Sequence, residues 1–277
     1  MTNRAFRFGV VATPQEGVDA WLNLARRAES LGFSSLLMPD GIHLLSPWPS
    51  LTAAASVTSN LHVGTFVVAS PLRHPRIAAW DAHSTSVITK GRFELGIGTG
   101  RDDLVHEVEQ VMGIPYAPPA QRLAQVEQTI DQLRLLDGEQ VHTPVMIAAS
   151  GRRARKVAAE KADIVAAAAS PLASHEEVDG LFAEIRDLAG ARFAELELSM
   201  NLFVIGEQAT PWMERFIGSD SATLRARDSL TMLRGETPQA MADELQRRRD
   251  RWGISYISVN SAFYEAMAPV VALLNGK

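Results

Sequence analysis

FRFGVVATPQEGVDAWLNLARRAESLGFSSLLM, from Phe6 to Met38, reads as one strand, one helix and a second strand. Phe8 to Ala12 is a short apolar run of strand length, after which Val18, Trp21, Leu22, Ala25 and Ala28 recur at helical spacing until Gly32 closes the helix. Ser35 to Met38 is the next strand and runs into the turn residues Pro39-Asp40-Gly41. Two strands separated by a helix lie parallel, joined by a right-handed crossover, so this stretch is the start of a parallel sheet.

The unit repeats outward from there. A loop leads to the Ala-rich segment Leu51 to Val57; His62 to Ala69 is a third strand with Ile77 to Ile88 as its helix, and Phe93 to Gly98 is a fourth. Beyond Pro115, Pro118 and Pro119, the segment Arg122 to Leu136 carries Leu123, Val126, Ile130 and Leu133 on one helical face. Val145 to Ala149, Ile164 to Ala168 and Leu198 to Ile205 supply strands five to seven, with helices beginning near Arg152 and Glu176, and Tyr256 to Val259 supplies the last. Between strands seven and eight, Gly206 to Gly235 reads as an irregular or partly helical insertion placed over the barrel mouth or rim, followed by a helix over Thr237 to Trp252. Eight such units predict a (β/α)8 TIM barrel formed as one domain over residues 1–277, because closure removes both sheet edges and such barrels take about 250 residues. An open doubly wound sheet is the alternative.

Composition narrows the function. With 46% hydrophobic and 21% charged residues the chain is an ordinary globular protein, and its net charge of −5 argues against a nucleic-acid partner, which needs clustered cations. Cysteine is absent, which excludes disulfides, thiolate nucleophiles and Cys-based metal sites, so redox chemistry would need an organic cofactor. No apolar stretch has the length of a membrane span or signal peptide, and a cytoplasmic protein acting on a small molecule is the expectation. His43, His74 and His83 with Asp40 or Asp81 lack the spacing of familiar metal motifs, so no metal is expected, and no GxSxG elbow is present.

Three motifs can carry chemistry. Gly96-Ile97-Gly98-Thr99-Gly100 follows a strand but has Arg101 where a dinucleotide fingerprint needs its third glycine, so that match fails; it is either a tight turn or a backbone that a flat cofactor approaches closely. Ala148-Ala149-Ser150-Gly151-Arg152-Arg153 ends a strand and opens a basic helix that Ser150 could cap. Cations there oppose the helix dipole, so a bound phosphate would account for Gly151 and Arg152, a solvated basic turn being the plainer reading. Asp40 stands at the end of strand two, where barrel enzymes keep their reactive groups, or simply makes an Asp-Gly turn.

In order and spacing these words resemble the luciferase-like superfamily, particularly its coenzyme F420-dependent branch. The resemblance is carried by Ala25 to Phe33, Leu37-Met38-Pro39-Asp40, Leu61 to Thr65 with Arg73-His74-Pro75 beyond, Lys90 to Gly100, Ile147 to Gly151 and Trp252 to Tyr256. It implies a deazaflavin or FMN across the strand ends. Asp40 would lie near the ring, Phe66 and Val67 would form a bulge with a cis peptide behind it, Gly98, Thr99, Gly100 and Arg101 would pass the tail, and Ala149, Ser150, Gly151 and Arg152 would hold its phosphate. Two positions depart from the branch. Gly41 replaces a catalytic His, which leaves His43 as the imidazole suited to proton transfer, and Arg101 replaces the glutamate of the sugar-phosphate dehydrogenases. The implied activity is F420-dependent hydride transfer by a homodimer. The alternatives are an FMN-dependent monooxygenase served by a partner flavin reductase, and a flavin-binding protein without catalysis.

Overall fold

A computed structural model describes residues 4–209 and 213–277. The chain runs β1 (Arg7–Val11), α1 (Val18–Ser30), β2 (Ser35–Met38), α2 (Pro47–Ser56), β3 (His62–Thr65), β4 (Val68–Ala69), α3 (Pro75–Ile88), β5 (Phe93–Gly98), α4 (Pro119–Asp137), β6 (Val145–Ala149), α5 (Arg152–Lys161), β7 (Ile164–Ala167), α6 (His175–Ala189) and β8 (Glu197–Leu202). It continues through β9 (Val204–Ile205), β10 (Gln208–Ala209), α7 (Met213–Ile217), α8 (Ser221–Ala226), β11 (Met232–Leu233), α9 (Pro238–Trp252), β12 (Ile254–Asn260) and α10 (Tyr264–Leu274).

The strands pair in parallel in the order β3-β2-β1-β12-β8-β7-β6-β5-β4, and β3 also pairs with β5, so the sheet closes on itself. With β3 and β4 counted as one interrupted strand, the result is the (β/α)8 barrel that the sequence predicts. Alternation along the strands separates two cores. Phe8, Val10, Leu36, Val63, Leu95 and Ile147 point outward into the helix layer, while Leu37, Met146, Ile164, Ala166 and Tyr256 form a separate cluster inside the barrel. Trp21 of α1 is buried and donates its indole N–H to the Ser50 carbonyl at 2.7 Å, which fixes α1 against α2 without leaving a polar group unpaired.

The floor of the barrel, at the start of the strands, is polar and closed. Arg7 donates through Nε to Glu197 at 2.8 Å, pairs with Glu94 through Nη1 and lies 3.6 Å over the Tyr256 ring, while Tyr256 meets the Ser35 hydroxyl. Burial by itself would raise the Glu94 carboxyl, but Arg7 and His62 outweigh it and hold the group at about 2. Burial pushes the Tyr256 phenol well up, so it stays neutral. Such a floor stabilises the fold and leaves the opposite end of the strands for chemistry.

Four expectations change. The seventh strand ends at Leu202, not Ile205: the Phe203 N–H turns to the Thr231 carbonyl at 2.8 Å, and β9 leaves the barrel to pair with β10 and β11. The insertion is therefore a three-stranded sheet with two short helices and its own small core of Val204, Met213, Leu224 and Met232. Residues 210–212 of it lie outside the described residues. Helix four begins at Pro119, because proline is preorganised for a first helical position, and Ser150 does not cap α5, whose N-cap is Gly151. Among the described residues no helix is long and apolar enough to cross a membrane.

Candidate active site at the barrel mouth

The end of β2 delivers Asp40, and the turn after β4 delivers Arg73. Their side chains meet in a two-point ion pair, Arg73 Nη2 to Oδ1 at 2.6 Å and Nε to Oδ2 at 3.2 Å, and the Asp40 carboxylate is only 1% exposed. Its charge is thus spent on Arg73, which sequence reasoning passed over as a side chain because its partner lies 33 positions away. Beyond Asp40, a Cβ built on Gly41 would come within 2.8 Å of His43 Cε1. The exposed His43 ring folds onto the place where a side chain at position 41 would start.

On the neighbouring strand the Phe66–Val67 peptide is cis, and the strand is broken there into β3 and β4. Thr65 Oγ1 donates to the Gly96 carbonyl at 2.7 Å, and a Cβ on Gly96 would lie 2.0 Å from the Thr65 carbonyl oxygen. Val67 in turn packs on the inner side of Gly98. The glycines of β5 therefore answer first to the break in strand three, a reason for them that neither the fingerprint nor the tight-turn reading supplied.

The following loop is held from below. Arg122, buried in the first turn of α4, donates to the carbonyls of Thr99 at 3.2 Å and Gly100 at 3.4 Å and lies over the Tyr116 ring, whose hydroxyl donates to the Arg101 carbonyl at 2.5 Å. Thr99 and Gly100 are half-buried, and Arg101 is exposed. The signal for Arg122 was an arginine in the first turn of a helix entered through prolines, and it was counted only as that helix's edge.

At the end of β6, Ala149 is buried while Ser150, Gly151 and Arg152 are exposed. The N-cap Gly151 makes no side-chain capping bond, so the first-turn amides of α5 face outward. Arg155 donates to the Ser150 carbonyl and pairs with Glu184 at 2.5 Å, whereas Arg152 is 3.6 Å from Glu184 and largely solvated.

Between these loops lies a cavity of about 520 Å³ lined by Val11, Pro39, Phe66, Ala148, Ala166 to Ala169, Ser199, Met200, Asn201 and Asn260, with Pro171, Phe203, Ile217 and Thr231 above. Phe203, Ile217 and Thr231 come from the insertion or its root, which accordingly roofs the mouth. None of these lining residues is titratable. A second cleft of about 870 Å³, more polar and bordered by α1 and α10, shares Val11, Pro39 and Asn260 with it. Of the expected site residues, Phe66 lines the first cavity itself, Asp40 and Ala149 each adjoin a residue that does, and the Asp40 carboxylate turns away to Arg73. His74 and His83 are occupied structurally, the first as N-cap of α3 and the second against Asp137 at 2.8 Å.

The profile of the family described as luciferase-like monooxygenase matches residues 5–251. The F420-dependent hydroxymycolic acid dehydrogenase of Mycobacterium tuberculosis is 24% identical over 279 aligned positions, which span 91% of this chain and 74% of that protein. An F420-dependent glucose-6-phosphate dehydrogenase of Microbacterium testaceum is 28% identical over 186 positions, 57% of this chain and 55% of that one. Among solved structures, the coenzyme F420-dependent tetrahydromethanopterin reductase of Methanopyrus kandleri superposes with a TM-score of 0.72 at 18% identity over 96% of this chain and 97% of that one, a likeness of fold.

Proposed function

The chain belongs to the luciferase-like monooxygenase family, and from that premise we propose that it is an oxidoreductase that binds coenzyme F420 and exchanges a hydride with a small organic substrate. The observation that carries this reading is the uncapped N-terminus of α5, bearing Arg152, on the flank of an uncharged cavity at the strand ends. That pairing suits a cofactor with a flat, largely apolar ring and an anionic tail. When bound, coenzyme F420 supplies a two-electron hydride centre in its middle ring.

The chain's own residues then divide the work. Phe66 and Val67 back the ring; Gly98, Thr99, Gly100 and Arg101, held by Arg122, border the tail; Ala149, Ser150 and Gly151 bring the α5 amides to its phosphate, with Arg152 as counter-charge. Asp40 neutralises Arg73 beside the end of β2, so that neither charge enters the cavity. His43, folded over Gly41, moves the proton that accompanies the hydride. The uncharged cavity walls and the roof from the insertion exclude water from the reacting atoms.

The same site would accept FMN, and Gly41 in place of a catalytic His favours keeping that second reading, a monooxygenase fed by a partner flavin reductase. Quenching of tryptophan fluorescence on titration with each cofactor separates them. Coenzyme F420 should bind more tightly than FMN, and Arg152→Ala should weaken binding by about 1.5–3 kcal/mol, the worth of a charge-assisted hydrogen bond. Tighter FMN binding would select the monooxygenase, and an unchanged affinity in Arg152→Ala would return the basic turn to solvent.

A further inference from the structure

Inside the cavity one polar group has no role yet. Ser199 is fully buried on β8, its Oγ has no hydrogen-bond partner among the described residues, and it faces the cavity. Two residues on, Asn201 accepts from the Ser258 hydroxyl through Oδ1 at 2.9 Å, which leaves its amide nitrogen as a second donor on the same inner face. A buried hydroxyl without a partner is costly unless a ligand satisfies it.

The position of β8 says which ligand. Around the barrel the order is β1, β2, β3/β4, β5, β6, β7, β8, β12, so β8 stands four strands from the β3/β4 break in either direction, diametrically across the mouth. A ring backed by Phe66 therefore turns its open face toward Ser199. The space between carries alanines at 148 and 166–169 and no charged side chain among the lining residues. A phosphate or carboxylate there would lose its hydration with no cation to replace it.

We infer that the substrate is an uncharged, largely apolar compound whose carbonyl or hydroxyl oxygen is held by the Ser199 hydroxyl. The inference rests on the placement of the cofactor ring proposed above, and it sets this chain apart from relatives that take sugar phosphates.

The test uses three probes built on one six-membered ring, the near-isosteric cyclohexanone and methylenecyclohexane and the charged cyclohexyl phosphate, titrated by ligand-observed NMR into the whole chain with and without coenzyme F420. Cyclohexanone should bind best and cyclohexyl phosphate at least about tenfold more weakly. Ser199→Ala should weaken cyclohexanone about 3- to 10-fold, the worth of one neutral hydrogen bond, and leave methylenecyclohexane unchanged. Ser199→Thr, which keeps the hydroxyl, should retain the preference for the ketone and guards against a general loss of folding in the alanine variant. Equal preference for ketone and alkene in the parent, an unchanged ketone affinity in Ser199→Ala, or phosphate binding as tight as the ketone would overturn the inference. Loss of ketone binding on loading with coenzyme F420 would also overturn it, by placing the ring against Ser199. Failure of F420 to bind, with the Ser199 effect intact in the free chain, would remove the cofactor reading and leave the neutral ligand standing.

Discussion

Asp40 and Arg73 decide how the mouth is wired, because each is buried enough to depend on the other. Arg73→Met should leave an unpaired carboxylate in the interior and cost roughly 3–5 kcal/mol, read from urea unfolding. Asp40→Asn combined with Arg73→Met should recover much of that loss, since no charge is then stranded. If the double variant is as unstable as the single one, Arg73 acts through packing and not through charge. His43 offers a second measurement at this scale. General acid–base catalysis contributes about 10²–10⁴-fold, so His43→Ala should lower turnover by that order with cofactor saturating, and a rate within about threefold of the parent would leave His43 as mere lining.

Among the elements, the break between β3 and β4 and the glycines of β5 form one joint. A Cβ at Gly96 would collide with the Thr65 backbone oxygen, which cannot swing aside as a side chain can, so Gly96→Ala should cost about 1–3 kcal/mol or more and weaken cofactor binding by moving Phe66. Gly151→Ala, with nothing within 4 Å of the added carbon, is the control and should leave thermal stability within about 0.5 kcal/mol of the parent. This joint also shows what a sequence can and cannot disclose. The alternation of Phe8–Ala12 with Val18–Ala28 was enough to see barrel units, because helix and strand periods are local. The Asp40–Arg73 pair and the Arg122 support under Thr99 join distant parts of the chain, and no local period announces them. Ser199 and Asn201 lie between these cases: they alternate with Leu198, Met200 and Leu202, a local pattern that marks an inward polar face without saying what that face meets. The end of β8 is hidden in the sequence for a related reason, since Val204 and Ile205 are as apolar as barrel residues and only their pairing with β11 reveals that they have left the sheet.

For the whole molecule, the charged floor makes acid the natural denaturant. Glu94 falls from an ordinary 4.5 to about 2 on folding, so it binds fewer protons folded than unfolded near those values. Its contribution is complete above about pH 4.5 and is lost as pH drops toward 2. Melting temperature should fall through that window, and Glu94→Gln, less stable at neutral pH, should show a shallower fall. The outer surface carries a different expectation. Ile77, Trp80, Val87 and Ile88 leave an apolar stripe along α3, with Trp80 58% exposed. We expect two copies of the chain to meet there. Trp80→Glu should convert a dimer to a monomer in light scattering, and a parent that is already monomeric would end that expectation. Finally, the roof over the mouth has its own small core and joins β8 through the single residue Phe203. Ile205, Leu230 and Leu233 nevertheless pack into the barrel core, and Arg248 of α9 donates to the Leu230 and Met232 carbonyls. A foreign roof spliced in at 203–235 should therefore fold only where it matches those three apolar side chains, whereas the private cluster of Val204, Met213, Leu224 and Met232 is free to be recast.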